Sequence, residues 1–277
     1  MEQPHRRLAG VVERHRDGLV LRVFRSMMAI NGYDRALALS AQAFVGLIPM
    51  LVVVAALAPD PAREAGGRAL IASVGLSGDV AQATALLVRE PPGADTLTLL
   101  GSVLLVTSVL GFIRALQRTY LAAWGVPSGG LRGMGHGVIG AAALIAGFAA
   151  LALLWPALAA LGGHVVAQLV VHAVAAIALW WPVQHILLGG HVSWRALLPG
   201  AVLTGVGQAV VLGVAMLFLP ATVSHQAARY GLFGVAVAVV SWLLALGLLL
   251  VLSAVLGAEL AGGHPAGSRA EPTDADG

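Results

Sequence analysis

Long apolar runs at 36–58, 97–116, 137–161, 165–188, 197–219 and 231–257 alternate with short segments that hold most of the charge. Wound as helices at about 1.5 Å per residue, all of them are long enough to cross the roughly 30 Å hydrocarbon of a bilayer. The pattern predicts an all-α, polytopic membrane bundle of six transmembrane helices. Ahead of the first run, LVLRVFRSMMAI (19–30) repeats apolar residues at Leu19, Val20, Val23, Phe24, Met27 and Met28, with Arg22 and Arg25 interspersed. Such spacing suits an interfacial helix in the headgroup layer, or equally a cytoplasmic helix packed on the bundle. Between the first two runs, residues 59–96 are bounded by PDP and PPGAD. Inside these breakers ALIASVG and DVAQATALLVRE have helical spacing, which predicts two short external helices separated near Gly75 to Gly78. The chain thus divides into an arginine-rich N-terminus (1–35), a transmembrane domain (36–260) with the external insertion 59–96, and a tail (261–277). The tail has no apolar face to bury and is expected to be disordered. No internal repeat is visible.

Composition identifies the solvent as lipid. Of 277 residues 58% are hydrophobic and 10% charged, against roughly 25% charged in a soluble domain, and mean hydropathy is +0.88. Cysteine is absent, which excludes disulfides, thiolate metal sites and a cysteine nucleophile. All the cationic side chains other than histidine are arginines, and their placement follows the spans. Arginines 6, 7, 14, 16, 22, 25, 35, 114, 118, 132 and 195 fall on one side, and only Arg63, Arg68, Arg89 and Arg229 on the other. By the positive-inside bias both termini are cytoplasmic, as an even number of spans requires. Net charge is only +3, so the arginines read as topology signals and not as a nucleic-acid surface. No cleavable signal peptide is expected, because the first apolar run follows an arginine-rich stretch and reaches full span length.

Ionisable groups at membrane depth are the first place to look for function, and the spans lack acidic residues over their central portions. Asp34 stands at the entrance to the first span and Glu259 just beyond the sixth. A carboxylate relay for protons or sodium is hard to build from these. Glu259 lies where the helix dipole disfavours an anion, so a cation is expected beside it, with Arg35, Arg114, Arg118 and Arg195 as candidates. Asp34, Arg35 and Glu259 then form a structural latch, or contribute to gating. Arg114 and Arg118, one turn apart, share a helix face and can snorkel to lipid phosphate, pair with an acid, or grip an anionic substrate headgroup. In the fifth span Ala201, Gly205, Ala209 and Gly213 form a small-residue ridge for helix contact. Beside it run Gly200, Thr204 and Gln208, and both interhelical hydrogen bonding and cavity lining fit the latter two.

Several polar groups carry blander readings. Gln168 and His172, one turn apart in the fourth span, read chiefly as hydrogen-bonded packing. Without HxH, HExxH or a carboxylate at metal-site spacing, no metal or other cofactor is expected. No GxSxG or Ser-His-Asp order points to acyl transfer. Trp155, Trp180, Trp181 and Trp194 read as interfacial belt residues.

The first span itself is irregular. DRALALSAQAFVGLIPML (34–51) begins with Asp34, which follows the Asn31-Gly32 turn and can cap the helix. Pro49 frees the carbonyl of Val45 and, with Gly46 nearby, predicts a kink. Ser40 and Gln42 can hydrogen-bond neighbouring helices. A helix with these features faces protein or water as well as lipid.

Three blocks carry a resemblance: Ala38–Ala56 with its internal Pro49; GFIRALQRTYLAAWGV (111–126); and VSWRALLPGAVL (192–203), followed by ARYGLFG (228–234), Trp242 and LGAEL (256–260). In this order and spacing the chain resembles the YihY/BrkB family of bacterial inner-membrane proteins, long mislabelled ribonuclease BN. The resemblance covers nearly the whole membrane region and marks Pro49, Arg114, Trp124, Pro199, Gly200, Tyr230, Gly231, Trp242 and Glu259 as motif positions. Two departures stand out: Phe44 is the only aromatic after the first alanines, and Ala261 replaces the polar residue usual after the closing Gly-Ala-Glu-Leu.

The leading expectation is an inner-membrane permease for an amphiphilic or lipid-like envelope substrate, contacted by Arg114, Arg118, Thr204, Gln208 and Gln42. Its partners would be membrane lipids, with no nucleic acid. The alternative is a non-transporting scaffold that engages an envelope protein through residues 59–96. An enzyme is the least favoured reading, because the N-terminal arginines supply charge without stacking aromatics or a means of activating water.

Overall fold

The computed structural model describes residues 18–57, 78, 79, 82, 86, 94–127, 130–160 and 164–262. Among them every regular element is an α-helix: α1 (Leu19–Ala29), α2 (Gly32–Leu57), α3 (Ala94–Ala123), α4 (Gly130–Ala160), α5 (Val165–Leu187), and a helical run from Trp194 to Leu260. That run is broken at Gly231, whose φ of 60° and ψ of −141° suit a residue without Cβ. We treat the two parts as α6 (Trp194–Gly231) and α7 (Phe233–Leu260). The expected external helices at 59–96 and the tail from 263 lie almost wholly outside the described residues.

Among the described residues four helices are long and apolar enough to cross a membrane: α3 over Leu99–Ala123, α5, α6 and α7. Large apolar side chains face outward along them, among them Val166, Leu217 and Phe233, each more than 70% exposed. This is the surface of a protein dissolved in lipid. The expected spans at 36–58 and 137–161 are helical within α2 and α4. The fifth helix is longer than its apolar run suggested, because α6 continues through Pro220 to Gly231, 38 residues or about 57 Å. A proline within a helix removes one backbone bond, and the segment PATVSHQAARY that follows contains no glycine to end it.

Neighbouring helices pack into a ring in which α3 lies between α2 and α4, α5 between α4 and the α6–α7 run, and α7 closes against α2. Lipid supplies little hydrophobic force between helices, so close packing must hold the ring together. A Cβ on Gly205 would fall 2.7 Å from the backbone nitrogen of Ile177 in α5. On Gly257 it would meet the Cα of Gly200 at 2.8 Å, and on Gly247 the carbonyl of Ala36 at 2.6 Å. The small-residue ridge of α6 thus meets α5, while Gly200 turns toward α7. At the α2–α7 seam the Ser40 hydroxyl reaches both the Ala36 and Leu243 carbonyls, at 2.7 and 3.1 Å.

The helix starts and ends hold further detail. The backbone N–H of Arg35 donates to the Asn31 carbonyl (3.1 Å), so Asp34 lies in the first turn of α2 and not at its cap. There it still complements the positive dipole end. Pro49 is buried, and α2 continues beyond it to Leu57. In α1, Val23 and Met27 pack on the core, whereas Val20, Phe24 and Met28 are exposed.

Replacing Gly257 by Ala is expected to lower the thermal unfolding midpoint, at a cost of about 1–3 kcal/mol, since backbone atoms block the new methyl. Gly135→Ala, where a Cβ meets nothing within 4 Å, serves as the control and should not destabilise. Equal midpoints for the two variants in detergent would remove the argument for a backbone seam.

Candidate functional site

Three layers of polar side chains occur between the Glu259 end of the bundle and its middle. The outermost is centred on Glu259, at the C-terminal end of α7. Its cation comes from α1: Arg22 Nε lies 3.5 Å from one carboxylate oxygen, and the Ser26 hydroxyl donates to the other at 2.5 Å. This differs from the partners expected from sequence. Arg35, assigned to the same latch, instead donates from Nε to the Ile30 carbonyl (2.6 Å) and from its terminal nitrogen to the Arg118 carbonyl (3.0 Å). Burial, and then the charge of Arg118, lower the pKa of Arg35 from its ordinary value. Sequence spacing did not single out α1 as the partner because the docking of a short amphipathic helix is not set by the order of the spans.

Arg114 and Arg118 are both exposed on α3. Arg35, half-buried behind Arg118, is less open. Gln42 is exposed as well, and its amide lies over Gly111, where a Cβ would be 2.6 Å from Oε1. Gln42 thus occupies the α2–α3 seam, one turn from Arg114.

The second layer was not expected. Tyr120, Gln184 and Thr204 are almost completely buried, and the Tyr120 hydroxyl lies beside the side chains of the other two. The Gln184 amide satisfies its neighbours when Nε2 donates to the Leu197 carbonyl (3.2 Å) and Oε1 accepts from Tyr120 O–H and Ala201 N–H, both at 3.3 Å. It thereby bridges the 197-to-201 step of α6, next to Pro199. Gln117 adds a bond to the Leu187 carbonyl at 3.2 Å. Together these groups form a polar floor joining α3, α5 and α6.

Above the floor is a cavity of about 220 Å³ to which every long helix contributes: Leu39 and Ala43 of α2, Phe112 of α3, Phe148 of α4, Trp180 of α5, Thr204 and Gln208 of α6, and Leu243, Leu246 and Leu250 among the residues of α7. Thr204 is about 15 Å along the helix from the start of α6 and Gln208 about 21 Å. The Thr204 hydroxyl donates to the Gly200 carbonyl (2.8 Å), and Gln208 Oε1 accepts from Trp180 Nε1 (2.9 Å). For both residues hydrogen bonding and cavity lining coincide. Trp180, read from sequence as a belt residue, is 1% exposed and packs edge-on against Phe148 at 6.2 Å. Phe148 is the exposed member of the lining, the others being buried or half-buried, so the cavity opens beside α4. Trp181 and Trp194 behave differently, since the Trp181 indole donates to the Trp194 carbonyl (2.8 Å) at the start of α6.

The candidate residues thus occupy two places. Thr204 and Gln208 share the central cavity, whereas Arg114 and Arg118 lie outside its lining. Gln168 and His172 are buried in the opposite half of α5. Among the described residues no three His, Asp or Glu side chains lie together in a geometry that could hold a metal ion.

A family model described as "Virulence factor BrkB" matches residues 23–277. No curated protein and no solved structure matches the chain.

Glu259→Ala removes both the Arg22 pair and the Ser26 acceptor, a loss of about 1.5–3 kcal/mol for hydrogen bonds to a charged group. Amides of α1 should then exchange with deuterium at least tenfold faster while those of α5 are unchanged. Unaltered exchange in α1 would mean that Glu259 does not hold it.

Proposed function

The chain belongs to the BrkB family, and we propose that this integral membrane protein is a six-span permease of the bacterial inner membrane for an amphiphilic, lipid-like molecule. In this reading α2 to α7 cross the bilayer, both termini are cytoplasmic, and α1 lies in the headgroup layer with Val20, Phe24 and Met28 toward lipid. Its partners are membrane lipids, and it performs no chemical reaction. The supporting observation is the apolar cavity near mid-depth, closed below by the Tyr120–Gln184–Thr204 floor and open beside Phe148. A structural bundle needs no such space, because voids forfeit packing. A chain entering past Phe148 fills it, while Arg114 and Arg118 hold phosphate at the cytoplasmic edge.

Proteoliposomes containing the full chain should make a fluorescent lipid of the inner leaflet accessible to an impermeant reductant. Ala43→Phe and Leu246→Trp, which fill the cavity from two helices, are expected to slow this at least tenfold. Arg114→Ala with Arg118→Ala should slow anionic lipids more than zwitterionic ones. Parental rates in both filled variants would exclude the cavity as the route. No lipid movement by the parent would leave the scaffold role of residues 59–96.

The topology is tested separately. The chain contains no cysteine, so Gly18→Cys and Ser268→Cys each introduce a unique label site. Both should be protected from an impermeant maleimide in intact cells, and opposite protection would refute an even number of spans.

A further inference from the structure

The cavity has few polar groups, and their roles are fixed by chemistry. An indole N–H can only donate, so Trp180 Nε1 at 2.9 Å turns the oxygen of the Gln208 amide toward itself. Nε2, with two protons, is then directed elsewhere, and among the described residues no acceptor meets it. Thr204 uses its own proton on the Gly200 carbonyl. Every other lining residue besides Trp180 is apolar, and none is charged. A carboxylate or phosphate placed here would lose its hydration with no cation to replace it. An uncharged oxygen on an apolar chain loses far less and gains the Gln208 donor. At about 220 Å³ the space is smaller than the roughly 300–1,000 Å³ of sites for drug-sized ligands, so one chain enters and a headgroup does not.

We propose that the cavity binds a single apolar chain bearing an uncharged oxygen acceptor, a hydroxyl or an ester carbonyl, hydrogen-bonded by Gln208 Nε2. This rests on the cavity being the substrate site of the permease reading and adds what part of the substrate enters it. Charge is recognised at the arginine edge.

The test is displacement of radiolabelled 1-decanol from the purified full-length protein in detergent at pH 8, with decanol, methyl decanoate, decane and decanoate as competitors. Decanol should compete about three- to tenfold better than decane, the range of one net hydrogen bond, and decanoate should be the weakest. Methyl decanoate matching decanol extends the site to esters, and decanol alone confines it to hydroxyls. Gln208→Leu should bring decanol down to the level of decane while decane binding is retained. Decanoate equal to decanol, or decane equal to decanol, in the parent protein overturns the proposal, and this ranking does not depend on any variant folding. If the ranking fails while Ala43→Phe still blocks lipid movement, only this inference falls. If no chain binds and the filled variants transport normally, the permease reading falls with it.

Discussion

Backbone contact between helices is the constraint on which this bundle depends. In water, apolar faces drive helices together; in lipid that force is nearly absent, and contact area with interhelical hydrogen bonds must replace it. Gly205 against α5, Gly257 against Gly200, and Gly247 against Ala36 bring main chains so close that no side chain fits between them. Pulling each helix against its two neighbours closes a ring. A ring of six leaves a centre, and the bulk of Phe112, Phe148 and Trp180 fills it only in part. The cavity is thus a consequence of how the ring is held.

Polar groups are distributed so as to seal one end of that ring. An amide inside hydrocarbon stabilises by only about 0.6 kcal/mol per interhelical bond, but left unpaired it costs about 1–3 kcal/mol. Gln184 is therefore a weak adhesive and a strong constraint: α3, α5 and α6 must stay together for it to remain satisfied. Glu259 acts similarly one layer out, where Arg22 and Ser26 tie α1 beneath α7. Any route from the cavity through that end has to separate both layers, whereas the opening beside Phe148 needs neither to move.

These properties explain which features could be read from sequence. Apolar run lengths located the helices, and the spacing of small residues located the face of α6 that meets α5. Thr204 and Gln208 stood out because amides and hydroxyls are scarce in such spans. Tyr120 and Gln184 did not, although they are equally buried, because each sits near a helix end where a polar residue ordinarily reaches the headgroups. Apolar periodicity had little to say about neighbours, since lipid-facing and protein-facing sides are both apolar in a membrane. The partner of Glu259 was misjudged for a related reason. Arg22 belongs to a short amphipathic helix whose docking depends on tertiary contact, not on span order, while Arg35 was used up by the Ile30 and Arg118 carbonyls.

The separation of charge from cavity also bears on how an amphiphile would be handled. Had an arginine lined the central space, the same site would bind headgroup and chain, and release would require breaking a buried ion pair of several kcal/mol. Here the strong contacts lie at the edge, where water and salt weaken them, and the interior contributes one amide and dispersion. Such a division makes binding at depth weak for any single group, which favours turnover over retention. It also gives the Trp180–Gln208 pair a function beyond packing: by engaging the amide oxygen, Trp180 keeps the donor side of Gln208 free for an occupant.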